Sequence, residues 1–285
     1  MSKVLQGKTV VMTGATSGIG EAAAIKLAQM GARIVMIARN ERRAKAMLSR
    51  LDASGMGQAH SVHYADLTRI PGMKRAAAEI AQTEERIDVL VNNAGAIFAA
   101  PQLTEDGIER TFALNHMAYF VVTEGLRERL LASAPARIVN TSSVMHANAV
   151  LDFSDLQSLK NYAPLKAYAR SKLCNILFTR ELARRLQGTG VTANCFHPGF
   201  TATRIGDESG GLISRFAWLA KYFAISPEKG AETLIYLASS PEAAKTTGAY
   251  FYQCRPAEPS LAAQDDEAAR QLWERSAALA GLKTP

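Results

Sequence analysis

The sequence predicts an α/β protein built on one doubly wound, mostly parallel sheet of seven strands with helices on both faces. Short runs rich in β-branched residues alternate with longer, alanine-rich segments of helical period along the 285 residues, and this alternation is typical of βαβ units. The strand runs are almost continuously apolar, as strands buried on both faces of a sheet must be. Together these observations predict a single-domain Rossmann fold.

Seven segments have the composition of strands. In chain order they are TVVMTG, RIVMIAR, HSVHYADL, DVLVNNAG, ARIVNTSS, VTANCFHPG and AYFYQC. Segments of helical period lie between them, such as IGEAAAIKLAQMG, RAAAEIAQTEE, FVVTEGLRERLLA and AYARSKLCNILFTRELARRLQG. No linker rich in Pro or Gly interrupts the series, so we predict one catalytic domain over residues 1–260 and a C-terminal helical extension over residues 261–285.

Composition limits the compartment and the partners. The formal net charge is +7, which suits an anionic small molecule as well as a nucleic acid or a membrane. No nucleic-acid recognition motif accompanies the basic residues, so we expect no nucleic-acid partner. No run of about 18 apolar residues or signal-peptide core is present. We therefore expect a cytoplasmic protein without a membrane anchor.

The cysteines and histidines do not form a metal-binding pattern. Cys174, Cys195 and Cys254 are scattered, with no CxxC pair, which favours a reduced compartment over a disulfide framework. His60 and His63 have no acidic or cysteine partners at zinc-like spacing. We predict no metal site.

A glycine-rich turn follows the first strand. Gly14, Gly18 and Gly20 in TGATSGIG precede a helix that we expect to begin near Glu21. Glycines at such a turn let the backbone approach a pyrophosphate, and the helix start attracts its charge, although tight packing also selects glycine. We predict that a dinucleotide cofactor contacts Gly14, Thr16, Ser17, Gly18, Ile19 and Gly20.

The residue after the second strand predicts which dinucleotide is bound. An acidic residue there would accept hydrogen bonds from the ribose hydroxyls of NAD, but the sequence has Arg39 followed by Asn40. A guanidinium at this point, backed by Arg42 and Arg43, would bind a 2′-phosphate. We therefore predict NADP(H) as the cofactor, bound in part by Arg39 and Asn40. The alternative is an exposed arginine at a helix start.

Two further strand ends supply candidate cofactor contacts. Asp66 and Leu67 follow the third strand. Asp66 suits a contact with the adenine amino group of the cofactor, and Leu67 suits an apolar wall beside it. Asp66 is equally suited to a helix N-cap. The fourth strand ends in NNAG. The Asn92 amide can brace neighbouring strands, or act as an ordinary turn residue, and Ala94 and Gly95 leave space for the cofactor.

The YARSK segment places Tyr168 and Lys172 one helical turn apart. A tyrosine has a pKa near 10, so it needs a nearby cation to exchange protons at neutral pH. Lys172 can supply that charge and also hold a ribose hydroxyl. The same pair occurs by chance on many surface helices. Taken alone, it does not establish a site.

Two more polar residues are candidates for chemistry. The fifth strand ends in NTSS, where Ser143, the outer serine, can hydrogen-bond a substrate carbonyl, while Ser142 is better suited to capping backbone. Asn115 interrupts an apolar helical pattern, FALNHMAYF, where an amide is poorly placed unless something requires it. It can order a water that relays protons to Lys172, or it is a satisfied core residue.

Six features occur along the chain in the order TGATSGIG, NNAG, Asn115, TSS, YARSK and HPG (residues 197–199). Together they resemble the short-chain dehydrogenase/reductase family over nearly the whole chain. The resemblance implies that Tyr168 is the acid/base, that Lys172 lowers its pKa and binds the ribose, that Ser143 orients the carbonyl and that Asn115 holds the relay. We also predict that Pro198, Gly199 and Thr201 complete the cofactor site.

The stretch from DFSDLQ to HPG is similar to the retinol dehydrogenase branch, whose members interconvert apolar alcohols and aldehydes with NADP(H). This similarity implies an oxidoreductase for a lipophilic carbonyl or alcohol. We expect a substrate flap at about residues 200–226, although a dimer interface or a membrane-touching helix would have the same composition. Further candidates for the substrate wall are Ile97, Phe98, Met145 and His146. The sequence leaves the oligomeric state open between a homodimer and a homotetramer. The alternative to an enzyme is a non-catalytic dinucleotide sensor.

Overall fold

The computed structural model describes residues 3–53, 57–199 and 225–282. Within these ranges eight strands form one sheet. They are β1 (Thr9–Thr13), β2 (Arg33–Ala38), β3 (Ser61–Tyr64), β4 (Val89–Asn92), β5 (Ala136–Thr141), β6 (Val191–Phe196), β7 (Tyr250–Tyr252) and β8 (Arg255–Ala257). Their order is β3-β2-β1-β4-β5-β6-β7-β8. Neighbouring strands from β3 to β7 are parallel, and β8 is antiparallel to β7.

The helices lie on both faces of the sheet, so the predicted doubly wound fold is confirmed. The described helices are α1 (Gly18–Gln29), α2 (Glu41–Asp52), α3 (Ile70–Thr83), α4 (Arg110–Phe112), α5 (Ala118–Ala132), α6 (Pro164–Arg185), α7 (Pro227–Ser239) and α8 (Asp266–Leu279). A π-helical turn, Ala113–Met117, joins α4 to α5. One apolar core contains residues of α1, α2 and α7, and the other contains residues of α3, α5, α6 and α8.

The eighth strand is the one difference from the predicted sheet. The AYFYQC segment does not run on as a strand to Cys254, because Gln253 and Cys254 have positive φ angles of 48° and 61° and turn the chain back. The returning strand β8 is short and contains Pro256. Proline lacks a backbone donor and is tolerated at the edge of a sheet, which is why the sequence pattern gave no sign of this strand.

Strand order brings the predicted motifs together. The chain runs from β1 outward to β3, and β4 then returns to the other side of β1. In such sheets a ligand binds beyond the carboxyl ends of the strands at this reversal. TGATSGIG, NNAG and NTSS lie at the carboxyl ends of β1, β4 and β5. In the described ranges, no helix combines the length and the apolar character needed to cross a membrane.

The C-terminal helix α8 packs on α6. Its Trp273 is buried, stacks on Phe178 with ring centroids 5.7 Å apart and meets Phe120 edge-on at 4.9 Å. The Arg185 guanidinium covers the same indole, 4.5 Å from the ring centroid. Residues of α8 therefore share one core with the central helices.

We predict that Trp273→Ala lowers the free energy of unfolding by about 3–5 kcal/mol, because it removes a large aromatic side chain from a packed core. Chemical denaturation followed by circular dichroism measures this change. Glu274→Ala, on the exposed side of the same helix, is the control and should change stability by less than about 1 kcal/mol. Equal effects of the two substitutions would show that the helix is not part of the folded core.

Candidate active site

The glycine-rich turn connects β1 to α1. The helix begins at Gly18 rather than near Glu21, because the turn is tighter than the sequence suggested. Gly14 has a φ of +70°, a conformation that favours glycine. Ser17 precedes the helix without capping it through its side chain. The amides of the first turn therefore lie at an anion-binding helix start.

Two of the glycines are also required by close packing. A Cβ added at Gly20 would lie 2.0 Å from the carbonyl oxygen of Gly14, and one added at Gly14 would lie 2.8 Å from the amide nitrogen of Ala94. The turn therefore packs directly on the chain that follows β4. Tight packing and phosphate binding, the two explanations that the sequence left open, are compatible at these positions.

Asn93, a residue that the sequence analysis did not single out, braces the glycine turn. Its Nδ2 donates to the Gly14 carbonyl at 3.2 Å, and its Oδ1 accepts from Thr141 Oγ1 at 3.2 Å. Thr13 Oγ1 accepts from the amides of Asn93 and Ala94 at 2.9 and 3.0 Å. Three strand ends are thereby joined by side chains.

The predicted contact Asn92 has a different position. Its side chain is fully buried and donates to Thr123 Oγ1 at 3.0 Å and to Asn140 Oδ1 at 2.9 Å. These bonds join β4 to α5 and β5. The Asn92 amide therefore braces neighbouring elements as expected, but it lies beneath the loop that follows β4 rather than at the surface of that loop.

At the end of β2, Arg39 and Asn40 are both exposed. Asn40 is the N-cap of α2, and its Oδ1 accepts from the Arg43 amide at 2.9 Å. Arg42 and Arg43 lie in the first turn of the same helix. Three arginines therefore surround one helix start. This is the charge expected of a phosphate-binding site.

After β3, Asp66 forms a local turn rather than a helix cap. Its Oδ1 accepts from the amide and the hydroxyl of Thr68 at 2.9 and 2.8 Å. The N-cap position of α3 is Arg69, so the N-cap alternative is wrong. Leu67 is buried in the core against α3. Asp66, which follows β3, is half-buried.

The four predicted catalytic residues come from three places in the fold: Ser143 follows β5, Tyr168 and Lys172 lie on α6, and Asn115 lies in the π-helical turn. Tyr168 is 5% exposed and Lys172 is 2% exposed. The pair is therefore a buried one, and the surface-pair alternative is wrong.

The buried groups surround Gly95. Lys172 Nζ is 5.6 Å from the centroid of the Tyr168 ring. A Cβ added at Gly95 would lie 3.3 Å from this Nζ and 3.2 Å from Asn115 Oδ1. The glycine therefore allows the NNAG loop to pack closely on Lys172 and Asn115. A side chain at this position would crowd both groups.

Asn115 connects the loop after β4 to α6. Its Oδ1 accepts from the Ala96 amide at 2.9 Å, while Nδ2 donates to the Ala96 carbonyl and to Ser171 Oγ, both at 3.0 Å. These bonds explain a fully buried amide within an apolar helical pattern. They hold the NNAG loop against the helix that carries Tyr168 and Lys172.

The two serines after β5 differ in exposure, and the local backbone cap predicted for Ser142 is wrong. Ser142 is buried and its Oγ donates to the Lys172 carbonyl at 2.8 Å, so it bonds backbone, although on α6 rather than locally. Ser143 is partly exposed, and its Oγ accepts from the Met145 amide at 3.2 Å. A hydrogen bond with Ser143 also lowers the pKa of Tyr168.

Burial shifts the two titrating groups in opposite directions. Loss of hydration raises the pKa of Tyr168 to about 12, despite the Ser143 hydrogen bond, and lowers the pKa of Lys172 to about 7. The neutral form of each group is favoured. Lys172 is not among the causes of the Tyr168 shift, so the lowering of the tyrosine pKa by Lys172 stays a prediction for the enzyme with its cofactor.

The other predicted residues differ in burial. His197 is buried, Pro198 and Gly199 are half-buried, Ile97, Phe98 and His146 are buried and Met145 is partly buried. Thr201 and nearly all of the predicted flap lie outside the described residues.

A site of this kind, at the reversal point of a doubly wound sheet, defines a dinucleotide-dependent dehydrogenase. A family model described as short chain dehydrogenase matches residues 8–210. The chain belongs to this family, and it is an oxidoreductase.

Two similar curated proteins are human retinol dehydrogenases. Retinol dehydrogenase 13 is 39% identical, with 99% of this chain and 87% of the relative covered. Retinol dehydrogenase 14 is 41% identical, with 98% and 88% covered. The predicted family and its retinol dehydrogenase-like branch are confirmed.

Two solved structures have the same fold. An uncharacterised protein from Mycobacterium paratuberculosis gives a TM-score of 0.78 at 30% identity, with 100% of this chain and 99% of that chain covered. A short chain dehydrogenase from Burkholderia cenocepacia, solved in complex with NADP, gives 0.69 at 28% identity, with 87% and 96% covered.

We predict that Thr13→Val lowers the free energy of unfolding by about 2 kcal/mol, because two backbone amides lose their acceptor while the side-chain shape is kept. Thr13→Ser retains the hydroxyl and is the matched control. Equilibrium denaturation compares the two variants. If Thr13→Val is as stable as the wild type, the two hydrogen bonds contribute nothing at this position.

Proposed function

We propose that this protein is an NADP(H)-dependent oxidoreductase that interconverts a carbonyl group and an alcohol on a lipophilic small molecule. The observation that carries the proposal is the buried pair Tyr168 and Lys172, whose lysine packs closely against Gly95 of the loop after β4, beside the glycine-rich turn. A non-catalytic dinucleotide sensor would not need this pair together with Ser143.

The residues around this pair fit a nicotinamide cofactor. Because Gly95 has no side chain, Lys172 Nζ and Asn115 Oδ1 lie close to its backbone, and the start of α1 suits a pyrophosphate. The cofactor, when bound, supplies or accepts a hydride. Lys172 would hold its ribose hydroxyls with the ammonium donors. Asn115 would anchor the relay that carries protons to Lys172.

The protein's own side chains would handle the proton and the carbonyl oxygen. In reduction, the Tyr168 hydroxyl would donate its proton to the substrate oxygen, and in oxidation the phenolate would take it back. Ser143, already hydrogen-bonded to Tyr168, would donate to the same oxygen as negative charge develops. Both hydroxyl groups therefore act on one atom of the substrate.

Charge at the end of β2 supports NADP(H) over NAD(H). Arg39 stands where an acidic residue would bind the ribose hydroxyls of NAD, and Arg42 and Arg43 lie in the helix turn that follows. The Burkholderia structure, to which this chain is similar, holds NADP. A lipophilic substrate is supported by the retinol dehydrogenase names of the relatives and by the apolar candidates for the substrate wall.

We predict that Tyr168→Phe retains NADPH binding but loses turnover by about 10²–10⁴-fold, because only the titrating hydroxyl is removed. The assay is NADPH consumption against aliphatic, aromatic, retinoid and steroid carbonyls, with binding measured by fluorescence titration. Tyr236→Phe, on α7 away from the site, is the control and should keep full activity. Undiminished turnover in Tyr168→Phe rules out the mechanism, whereas NADPH binding without turnover in the wild type would favour the sensor.

We predict that Arg39→Asp shifts cofactor preference from NADPH toward NADH by at least about tenfold, because a carboxylate repels the 2′-phosphate and accepts from ribose hydroxyls. The ratio of the two dissociation constants measures the shift. Arg50→Asp makes the same charge change at the far end of α2 and should leave the ratio unchanged. An unaltered ratio in Arg39→Asp would refute the assignment of the 2′-phosphate site.

A further inference from the structure

His146 joins two distant parts of the chain at the loop that carries Ser143. It lies in the short 3₁₀ turn Val144–Asn148, which directly follows Ser143, and it is buried. Its Nδ1 is 2.7 Å from the Ser143 carbonyl oxygen, and its Nε2 is 3.1 Å from the amide nitrogen of Ser260. Both ring nitrogens therefore bond the protein itself, so this candidate for the substrate wall is also a link within the fold.

The two partners determine the tautomer of the ring. A backbone amide only donates and a carbonyl oxygen only accepts, so Nε2 is the acceptor and Nδ1 carries the proton. A neutral imidazole makes both bonds at once. Burial favours that neutral form, since it lowers the pKa of His146 against the effect of the Ser143 bond. The Tyr250 hydroxyl, 3.4 Å from Nδ1, is then a second and more distant acceptor of the same proton.

His146 provides two donors to the Ser143 carbonyl. Its backbone amide nitrogen lies 3.1 Å from that oxygen and its Nδ1 lies 2.7 Å from it, so both lone pairs of the oxygen are used. The Ser142 amide, one residue earlier, donates to the Phe196 carbonyl at 2.7 Å. The backbone is thus held before and after Ser143, and the backbone conformation decides which side-chain rotamers are accessible. A bond to the Ser143 carbonyl therefore acts on the position of Ser143 Oγ.

The other end of the link belongs to the C-terminal segment. Ser260 directly precedes the 3₁₀ turn Leu261–Gln264, and α8 follows that turn. The turn contacts both α6 and the 3₁₀ turn that contains His146, and α8 packs on α6. The segment that bonds His146 is therefore packed on the helix that carries the Tyr–Lys pair. One piece of chain contacts both halves of the candidate site.

We propose that His146 is a positioning residue, whose imidazole ties the Ser260 amide to the Ser143 carbonyl and thereby holds Ser143 Oγ where it acts on the substrate oxygen. His146 is not itself catalytic, because both of its ring nitrogens are occupied within the protein. The proposal rests on the function proposed above for Ser143. It also gives the C-terminal segment a part in catalysis beyond its contribution to the folded core.

The test compares two substitutions that each keep one half of the link. His146→Asn keeps an amide donor at the position of Nδ1 but is too short to reach Ser260, whereas His146→Gln places its amide at the position of Nε2 and loses the donor to Ser143. We expect His146→Gln to lower kcat about fivefold, the factor expected for one lost hydrogen bond, and His146→Asn to restore part of this loss. KM should stay near the wild-type value, because the Ser143 bond strengthens only as charge develops on the substrate oxygen.

The assay is reduction of a retinoid aldehyde by NADPH, or of the carbonyl in the panel above that the wild type reduces fastest. His60→Gln is the control, since it also removes an imidazole that bonds backbone, here the Ile34 amide at 3.0 Å, but at the amino-terminal end of β2. It should keep the wild-type kcat. An unchanged kcat in His146→Gln, or a greater loss in His146→Asn than in His146→Gln, would overturn the proposal.

A double-mutant cycle separates positioning from general destabilisation. In a Ser143→Ala background, His146→Gln should lower kcat no further, because the hydroxyl that it positions is absent. A second loss of equal size in that background would show that His146 acts on turnover independently of Ser143, which the proposal does not allow.

Two measurements need no turnover and keep this proposal distinct from the proposed function. ¹⁵N NMR of His146 should show a protonated Nδ1 and an unprotonated Nε2, and the reverse would rule out the link. The Met145 amide donates to Ser143 Oγ, so its hydrogen exchange should be about fivefold faster in His146→Gln and unchanged in His60→Gln. Unchanged exchange in His146→Gln would reject the positioning of Ser143 even if the enzyme turns over no substrate. A wild type silent on every carbonyl, with both NMR results as expected, rejects only the proposed function.

Discussion

The constraint on which the site depends is the burial of the Lys172 ammonium. A lysine that is 2% exposed loses most of its hydration, and the charged form persists only where acceptors replace water. The fold supplies one such acceptor, the Thr141 carbonyl at the end of β5, which accepts from Lys172 Nζ at 3.2 Å. The loop after β4 also packs close to Nζ, because Gly95 has no side chain.

Close packing of the strand ends makes that position reproducible. Gly20 contacts the Gly14 carbonyl, Asn93 bonds the same carbonyl, and Thr141 bonds Asn93. Thr141, whose side chain bonds the Asn93 that braces the glycine turn, is thus also the residue whose backbone carbonyl accepts from Lys172. The glycine turn and Lys172 are therefore parts of one hydrogen-bonded unit.

Most of the fold could be predicted from the sequence, because buried parallel strands are continuous apolar runs and their carboxyl ends share one edge. That rule alone brought TGATSGIG, NNAG and NTSS together. The strand β8 was missed because three residues that include Pro256 have no strand-like composition, and the start of α1 was placed three residues late because glycines weaken a helical pattern.

The side-chain details of the site were less accessible to sequence analysis. Asn92 and Asn93 are adjacent and chemically identical, but successive residues of an extended chain point to opposite faces. Only the structure shows that Asn93 braces the loop while Asn92 lies beneath it. The bonds of Asn93 to Gly14 and to Thr141 join residues far apart in the chain, and no local pattern indicates such contacts.

The opposite pKa shifts of Tyr168 and Lys172 bear on how the proposed chemistry is controlled. Burial favours the neutral phenol of Tyr168 and the neutral amine of Lys172. Burial alone therefore favours neither the phenolate nor the ammonium. Under the proposed function, an oxidised nicotinamide would bring a positive charge next to the phenol and favour the phenolate that alcohol oxidation needs. A reduced nicotinamide carries no such charge and would leave the protonated phenol that carbonyl reduction needs. Under the proposed function, burial of the pair would make the protonation state of Tyr168 depend on the oxidation state of the cofactor, a dependence that a solvated tyrosine would lack because water would screen the charge.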